Sequence, residues 1–503
     1  KKDLPFVIPD NPRTYVRKAQ YHFGWDWGPK LTTCGVWKEV RLESYNQKPK
    51  EKEYVPSRKV ELVQQPDSIG KSFYFKIDGK PVYMKGANYI PSDALLSRVT
   101  KKEYEKVIKM AKDANMNMLR VWGGGIYEDD YFYDLCDKYG INVWQDFMFA
   151  GAMVPGDDAF FDNVREEVKY QVKRLRHHKS IVLWCGNNEV DEAFNNWGWQ
   201  KSMKMSKQDS TKLWKDYVRL FQDSIPKWVK EVDPTRPYTS SSPLFGWGRE
   251  KSYTEGDSHY WGTWWGLADI EAVQNRTGRF VSEYGMQAMP NYSTTKKITL
   301  EEDRHLYSDV LKAHQKAGNG FLKLNSYLHR YLKDTTKVKT WSVKEYTYVT
   351  QCLQHYSFKN IIGVHRSKEP YNMGTLLWQL NDCWPVASWS ITDYYNRQPK
   401  AAWYAVKEAY RDDVKPMVDF TRPINMKLEN PNITWKIKGN EITLKATQTA
   451  KYVYIEIEGY TGKLSDNYID LEAGKEVKIL FEGKVSKPVI SVTSLYEVIN
   501  RCK

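Results

Sequence analysis

From about residue 73 the chain alternates short apolar, strand-like runs with segments of helical period, and this alternation limits the possible folds more than any other feature. "PVYMKGANYI" precedes "TKKEYEKVIKMAKDANM", in which Tyr104, Val107, Ile108 and Ala111 recur at helical spacing. "NMLRVWGG", the helix "DDYFYDLCDKYG" closed by Gly140, and "INVWQDFMF" follow. The amphipathic "FFDNVREEVKYQVKRLRHH" leads into "SIVLWCGNNE", and further strands are expected at "PYTSSSP", "DSHYWG", "RFVSEYG" and "GTLLWQLND". Eight strands with helices between most of them predict an α/β chain whose centre is a (β/α)8 TIM barrel over residues 73–411.

The two ends read differently. Residues 1–45 hold the loop "AQYHFGWDWGP" and the alternating run "GVWKEVRLESY", expected as the tail of an amino-terminal β-sandwich whose beginning is absent. Residues 46–72 read as a linker. Past residue 412, "ITWKIKGNEITLKATQ" and "YVYIEIEGYTGK" alternate with Gly/Asn turns, so 412–503 is expected to be a carboxyl-terminal β-sandwich. The barrel is therefore flanked by all-β sandwich domains in the chain order. The start, "KKDLPFVIPD", lacks Met and a signal peptide and is expected to belong to a mature, truncated or incompletely covered product.

Composition narrows the function. A net charge of +14 from 76 basic and 62 acidic residues is spread thinly, without a basic helix, zinc pattern or RNA-binding signature, so no nucleic-acid partner is expected. Six widely spaced cysteines suggest neither a zinc site nor a disulfide framework, and no apolar run is long enough for a membrane span. The 20 Trp exceed what packing usually needs and suggest sugar-facing platforms, although most are expected in the core.

Chemistry is expected where strands end. In "SIVLWCGNNE" an apolar strand stops at Glu189, and in "RFVSEYG" another stops at Glu283. A barrel of ~250 residues spends ~31 residues on each βα unit, so the interval between these two glutamates is about three units and places them after strands 4 and 7. All eight strands present their carboxyl ends to one face, where two such carboxyl groups can converge. Glycoside hydrolysis needs such a pair: one protonates the leaving oxygen while the other attacks the anomeric carbon or activates water. That chemistry requires no cofactor, and a metal site at His177 and His178, which precede strand 4 at its opposite end, is not expected.

The motifs "FGWDWGP" (23–29), "RVWGGG" (120–125), "CGNNE" (185–189), "SEYG" (282–285) and "LLWQLND" (376–382) together resemble the β-mannosidase branch of glycoside hydrolase family 2, over roughly residues 15–410. The resemblance implies an exo-acting, retaining enzyme with Glu189 as acid/base and Glu283 as nucleophile. It implies that Asn188 binds the sugar 2-hydroxyl, that Trp122 and Trp378 wall the pocket, and that Asp26 reaches the barrel mouth to meet hydroxyls of the terminal mannose. Arg120 is expected to support the nucleophile, Trp197 to line the site with Trp199, and Tyr260, at the end of strand 6, to hydrogen-bond the nucleophile; its neighbour His259 is as readily structural. Family 2 chains carry an immunoglobulin-like domain before the barrel, so 46–72 reads as a linker or a truncated form of that region.

The expected function is a retaining exo-β-mannosidase that removes terminal β-D-mannose from the non-reducing ends of oligosaccharides. Another family 2 exo-β-glycosidase, acting as β-galactosidase, β-glucuronidase or exo-β-glucosaminidase, is the alternative within the class. An inactive carbohydrate-binding homologue is the alternative outside it. A bacterial periplasmic or secreted location is favoured over a lysosomal one by the lysine-rich, cysteine-poor composition.

Overall fold

The computed structural model describes residues 12–36, 58–332, 341–415, 417–483 and 488–500, with a few isolated positions between them. The chain forms two compact units. The first gathers residues up to Trp261 with Asn275–Tyr284 and Lys368–Trp378, and the second the remainder.

All eight expected strands are present in the first unit. They are β1 (Met84–Tyr89), β2 (Met118–Val121), β3 (Asn142–Asp146), β4 (Ile181–Cys185), β5 (Tyr238–Thr239), β6 (Asp257–His259), β7 (Phe280–Glu283) and β8 (Gly374–Leu377). They pair in the order 5-4-3-2-1-8-7-6, and every pair is parallel. This is the sheet of a (β/α)8 barrel. Between β5 and β6 the Asp257 carboxylate bridges instead, accepting from Ser242 Oγ at 2.6 Å and from the Leu244 N–H at 2.9 Å.

Local signals explain the crossovers. Thr100 caps α1 (Lys101–Asp113) by accepting from the Glu103 N–H, and the helix buries Tyr104, Val107, Ile108 and Ala111, the stripe read from the sequence. Asp129 caps α2 (Asp130–Tyr139), and Gly140 ends it at φ 68°, a conformation that glycine adopts without Cβ strain. Asp157 caps α3 (Asp158–Leu175), which leads to β4.

The segment 46–72, read as linker, contributes a strand. Val60–Val63 pairs antiparallel with Tyr74–Ile77, which pairs with Lys80–Val82. One face of this small sheet, Val60, Phe73, Phe75 and Ile77, packs with Met84, Met118 and Phe280 at the amino ends of β1, β2 and β7, and with Trp144 in β3. Burying that many aromatic and aliphatic side chains, each worth roughly 1.5–3 kcal/mol, closes the barrel core at the end away from the strand termini. Gly86 in β1 lets the neighbouring strand approach, since a Cβ there would lie 1.8 Å from the Met118 carbonyl oxygen.

The run "FGWDWGP" forms a short hairpin, Phe23–Trp25 against Gly28–Lys30, with Asp26 and Trp27 at its tip. The alternating strand expected over 35–45 falls on a stretch of which alternate positions lie outside the described residues.

The second unit contains the helices Gly320–Tyr331, Val343–Ser367 and Ala401–Ala409 and a carboxyl-terminal β-region. There Thr434–Lys438, Glu441–Lys445 and Glu476–Leu480 form one antiparallel sheet, and Ile469–Leu471, Ala450–Ile457 and Ile490–Thr493 a second. Ile442, Leu444, Val453, Ile455, Leu471 and Phe481 share one core between them, which makes the region a sandwich. Among the described residues no helix is long and apolar enough to cross a membrane.

Candidate active site

The site is built on Arg120, near the end of β2, whose guanidinium is fully buried. Nε and Nη2 donate to the two oxygens of Asp146 at the end of β3, at 3.3 and 2.8 Å. Nη2 also donates to Asn188 Oδ1 at 2.7 Å, and Nη1 to Asn88 Oδ1 at 3.0 Å and to Glu283 Oε1 at 2.6 Å. A guanidinium has five N–H donors, and all five are thereby used. Asp146 takes two more donors, the Gly123 N–H and Trp144 Nε1, each at 3.0 Å. Asn88 donates to the carbonyls of Ser282 and Leu377, tying β1 to β7 and β8.

The "GNNE" turn after β4 assigns each residue a task. A Cβ on Gly186 would lie 2.3 Å from the Ser240 carbonyl oxygen, so only glycine fits beside the segment that follows β5. Asn187 pins the turn, accepting from the Val190 N–H and donating to the Ser240 carbonyl. Asn188 joins Arg120 and donates to Glu189 Oε2 at 3.3 Å. Glu189 adopts φ 60°, a left-handed conformation costly for a residue with a Cβ, and its N–H donates to the Ser242 carbonyl at 2.8 Å.

Glu189 and Glu283 converge on His259 at the end of β6. Its Nδ1 is 2.9 Å from Glu189 Oε1 and 3.3 Å from Glu283 Oε2, and the three groups offer ligand-type atoms that all lie within 4.8 Å of one another. Trp261 Nε1 donates to Glu283 Oε2 at 3.3 Å. The sequence reading gave the contact with Glu283 to Tyr260. The structure gives the hydrogen bonds to Arg120 and Trp261, with the His259 ring beside them, while Tyr260 meets Glu283 through its backbone N–H, 2.7 Å from the Glu283 carbonyl.

Aromatic side chains surround this polar centre. Trp122 lies edge-on to Trp378 at 5.6 Å and to Trp25 and Trp27 of the hairpin at 4.7 and 5.4 Å. A Cβ on Gly124 would fall 1.8 Å from the Trp122 ring, which is how "RVWGGG" makes room for that indole. The hairpin is thus held by its two tryptophans with Asp26 between them. Asp26 Oδ1 is buried without a hydrogen-bond partner among the described residues. Trp197 follows the helix Val190–Asn196 and stays half exposed, its ring 6.0 Å from Trp199.

Burial raises every carboxyl group here that can titrate toward the pocket. Desolvation pushes Glu189 and Glu283 up to about 7, and Asp26 up to about 8 with the fields of the two glutamates adding to it. Desolvation takes His259 down to about 4, so the ring is neutral. Two carboxyl groups this close titrate as a pair, and the direct Arg120 and Trp261 donors, which touch only Glu283, favour the charged form there over Glu189. Three ligand-type atoms within 4.8 Å invite a cation, but the Arg120 guanidinium already supplies the positive charge beside Glu283. In the group Asp134, Asp137 and His178, Asp137 is engaged by the Ser180 N–H at 2.7 Å and His178 Nδ1 at 2.8 Å.

These shifts carry a stability consequence. A carboxyl raised from its unfolded value binds its proton more tightly when folded, so its contribution is fully present below about pH 4 and is lost as pH rises through about 7. Glu189→Gln removes one such group. The variant is expected to be more stable than the parent at pH 8 by roughly 1–3 kcal/mol and nearly equal to it at pH 4, measured by urea unfolding. Equal differences at both pH values would contradict the assignment.

The chain matches the family description "Glycosyl hydrolases family 2, TIM barrel domain" over residues 70–249. It also matches "Glycosyl hydrolase 2 galactose-binding domain-like" over 1–38 and an "Ig-fold domain" of the mannosidase type over 428–498. A protein named beta-mannosidase B from Emericella nidulans is 33% identical over 507 residues, covering 80% of this chain and 59% of that protein. One of the same name from Aspergillus niger is 30% identical over 579 residues, covering 93% and 66%. The chain thus spans about three fifths of the length of these curated relatives. Among solved structures, a beta-D-mannosidase from Dictyoglomus thermophilum superposes with a TM-score of 0.72 at 31% identity, covering 98% of this chain and 71% of that one. An exo-chitosanase of Amycolatopsis orientalis, 13% identical with a TM-score of 0.61 over 87% of this chain and 65% of that one, shares the fold. With the Glu189 and Glu283 motifs at the ends of β4 and β7 of its barrel, the chain belongs to the β-mannosidase branch of glycoside hydrolase family 2.

Proposed function

We propose that the protein is a retaining exo-β-mannosidase that releases terminal β-D-mannose from the non-reducing ends of oligosaccharides. The observation that carries this reading is the proximity of the two carboxyl groups, their oxygens within 4.8 Å through His259, with Arg120 bound to only one of them. Oxygens no more than 4.8 Å apart lie well inside the roughly 6.5–9.5 Å that inverting glycosidases keep between their carboxyl groups to hold a water, and suit a retaining enzyme, whose second carboxylate must reach the anomeric carbon itself.

The hydrogen bonds support the following division of roles. Glu189 carries the proton and delivers it to the glycosidic oxygen as the bond to the aglycone breaks. Glu283, held ionised by Arg120 and Trp261, forms the new bond to the anomeric carbon. Water then gives its proton to Glu189 while its oxygen displaces Glu283, and both groups return to their starting states. Asn188, with its Oδ1 fixed by Arg120, directs its amide toward Glu189 and is placed to meet a sugar 2-hydroxyl.

Asp26 is the substrate-facing group of the hairpin in this proposal. Near neutral pH it keeps its proton, so it both donates to and accepts from vicinal hydroxyls, and its buried Oδ1 acquires the partner the polypeptide does not supply. Trp122 and Trp378 shape the pocket for the apolar face of the sugar, and Trp197, half exposed, serves a more distal part of an oligosaccharide.

Aryl β-glycosides of mannose, galactose, glucose, glucuronic acid and glucosamine test the reading. The mannoside is expected to be cleaved in strong preference, and Glu283→Ala is expected to lower kcat by at least about 10³-fold. Preference for another sugar would refute the mannosidase assignment, and full activity of Glu283→Ala would refute the nucleophile. Asp26→Ala is expected to lower kcat/KM on the mannoside by about tenfold or more, one lost hydrogen bond of roughly 1.4 kcal/mol. An unchanged kcat/KM would remove Asp26 from the sugar site.

A further inference from the structure

The hydrogen bonds behind His259 fix which of its nitrogens carries the proton. Ser242 Oγ lies 2.6 Å from Asp257 Oδ2 and 3.1 Å from His259 Nε2. A hydroxyl has one proton, and at 2.6 Å from a carboxylate oxygen that proton lies between the two, because two bare oxygens at that distance repel strongly. Asp257 is held as an acceptor by two further donors, the Leu244 N–H at 2.9 Å and Ser282 Oγ at 2.6 Å. Ser242 Oγ therefore has only lone pairs to offer His259. The other group near Nε2 is Arg120 Nη1 at 3.4 Å, but both of its protons go to Glu283 and Asn88. An Nε2 lone pair would thus face an oxygen lone pair and find no donor, whereas an Nε2–H finds an acceptor in Ser242.

We propose that Asp257 and Ser242 are positioning residues that hold His259 as the Nε2–H tautomer, so that its Nδ1 lone pair accepts the carboxylic proton of Glu189. The inference rests on Glu189 being the acid/base and goes beyond it by naming what keeps the proton there. In the chain Asp257, Ser242, His259, Glu189, every member donates to the one before it, and only the Glu189 proton is transferable. After it passes to the glycosidic oxygen, the Glu189 carboxylate sits 2.9 Å from a lone pair that cannot donate to it, which strengthens it as the base that takes the proton of the incoming water. The charged and titratable groups facing His259 are Glu189 and Glu283 on the Nδ1 side, Arg120 on the Nε2 side, and Asp257 through Ser242. Glu283 Oε2 lies 3.3 Å from Nδ1, farther than Glu189 at 2.9 Å, and accepts instead from Trp261 Nε1, so the short Nδ1 contact is the one to Glu189. The raised Glu189 and the depressed His259 accord with this arrangement.

Two readouts test it. In the full-length protein with 15N-labelled histidine, assigned with a His259→Asn variant, the His259 Nε2 resonance is expected in the protonated range and Nδ1 in the lone-pair range. Ser242→Ala removes the acceptor, frees the Nδ1–H tautomer to donate to the Glu189 carboxylate, and is expected to lower the alkaline limb of the kcat/KM profile on an aryl mannoside by about one pH unit. Ser242→Thr keeps the hydroxyl and is expected to restore both the limb and the resonances, which separates the relay from a loss of fold. A protonated Nδ1 in the unmodified protein, or an alkaline limb unmoved in Ser242→Ala, would overturn the proposal. The resonances decide the tautomer even if no glycoside is cleaved, so failure of the relay and failure of the mannosidase reading are told apart.

Discussion

A single buried cation organises the site. Taking a guanidinium out of water costs several kcal/mol unless its charge and all its donors are matched, and Arg120 meets that condition only with Asp146, Glu283, Asn188 and Asn88 all in position. Those residues come from the ends of β1, β3, β4 and β7, so the five donors act as a gauge that sets the barrel strands against one another. An ion network of this kind adds little to stability compared with an apolar core of the same size, and its value lies in the geometry it enforces.

That geometry creates an electrostatic asymmetry from two chemically identical side chains. Glu189 and Glu283 are both buried and both raised, yet only Glu283 touches the guanidinium and the Trp261 indole. Glu189 faces an amide and a neutral imidazole. Environments that push one carboxyl of a pair toward its charged form and the other toward its neutral form are how a site obtains an acid and a nucleophile near neutral pH. The same burial that tunes the pair destabilises the fold as pH rises, so activity and stability pull against each other at these positions.

The barrel was legible in the sequence because its strands are short apolar runs separated by helices with clear caps, and all eight fall where the pattern predicts them. The two glutamates were legible because each ends such a run. His259 was harder to read. A strand alternates its side chains, so choosing between His259 and Tyr260 requires the register, and β6 shifts register between Ser258 and His259, which changes the side chain that faces the site. Asp146 was missed because it closes "INVWQD" as a lone acid in a strand, and only the position of Arg120 on the neighbouring strand reveals its role. The strand Val60–Val63 was hidden inside a lysine-rich stretch that reads as linker, since its partner strands supply most of the apolar face it packs with.

The most direct measurement is covalent trapping. Incubation with a 2-deoxy-2-fluoro-β-mannosyl fluoride slows hydrolysis of a glycosyl-enzyme more than its formation, and mass spectrometry of the peptic digest then locates the sugar. The account predicts one fluoromannosyl adduct on the peptide containing Glu283 and none on that containing Glu189. An adduct on another residue, or turnover of the aryl mannoside with inversion at the anomeric carbon, would contradict the central role given to the Arg120–Glu283 pair.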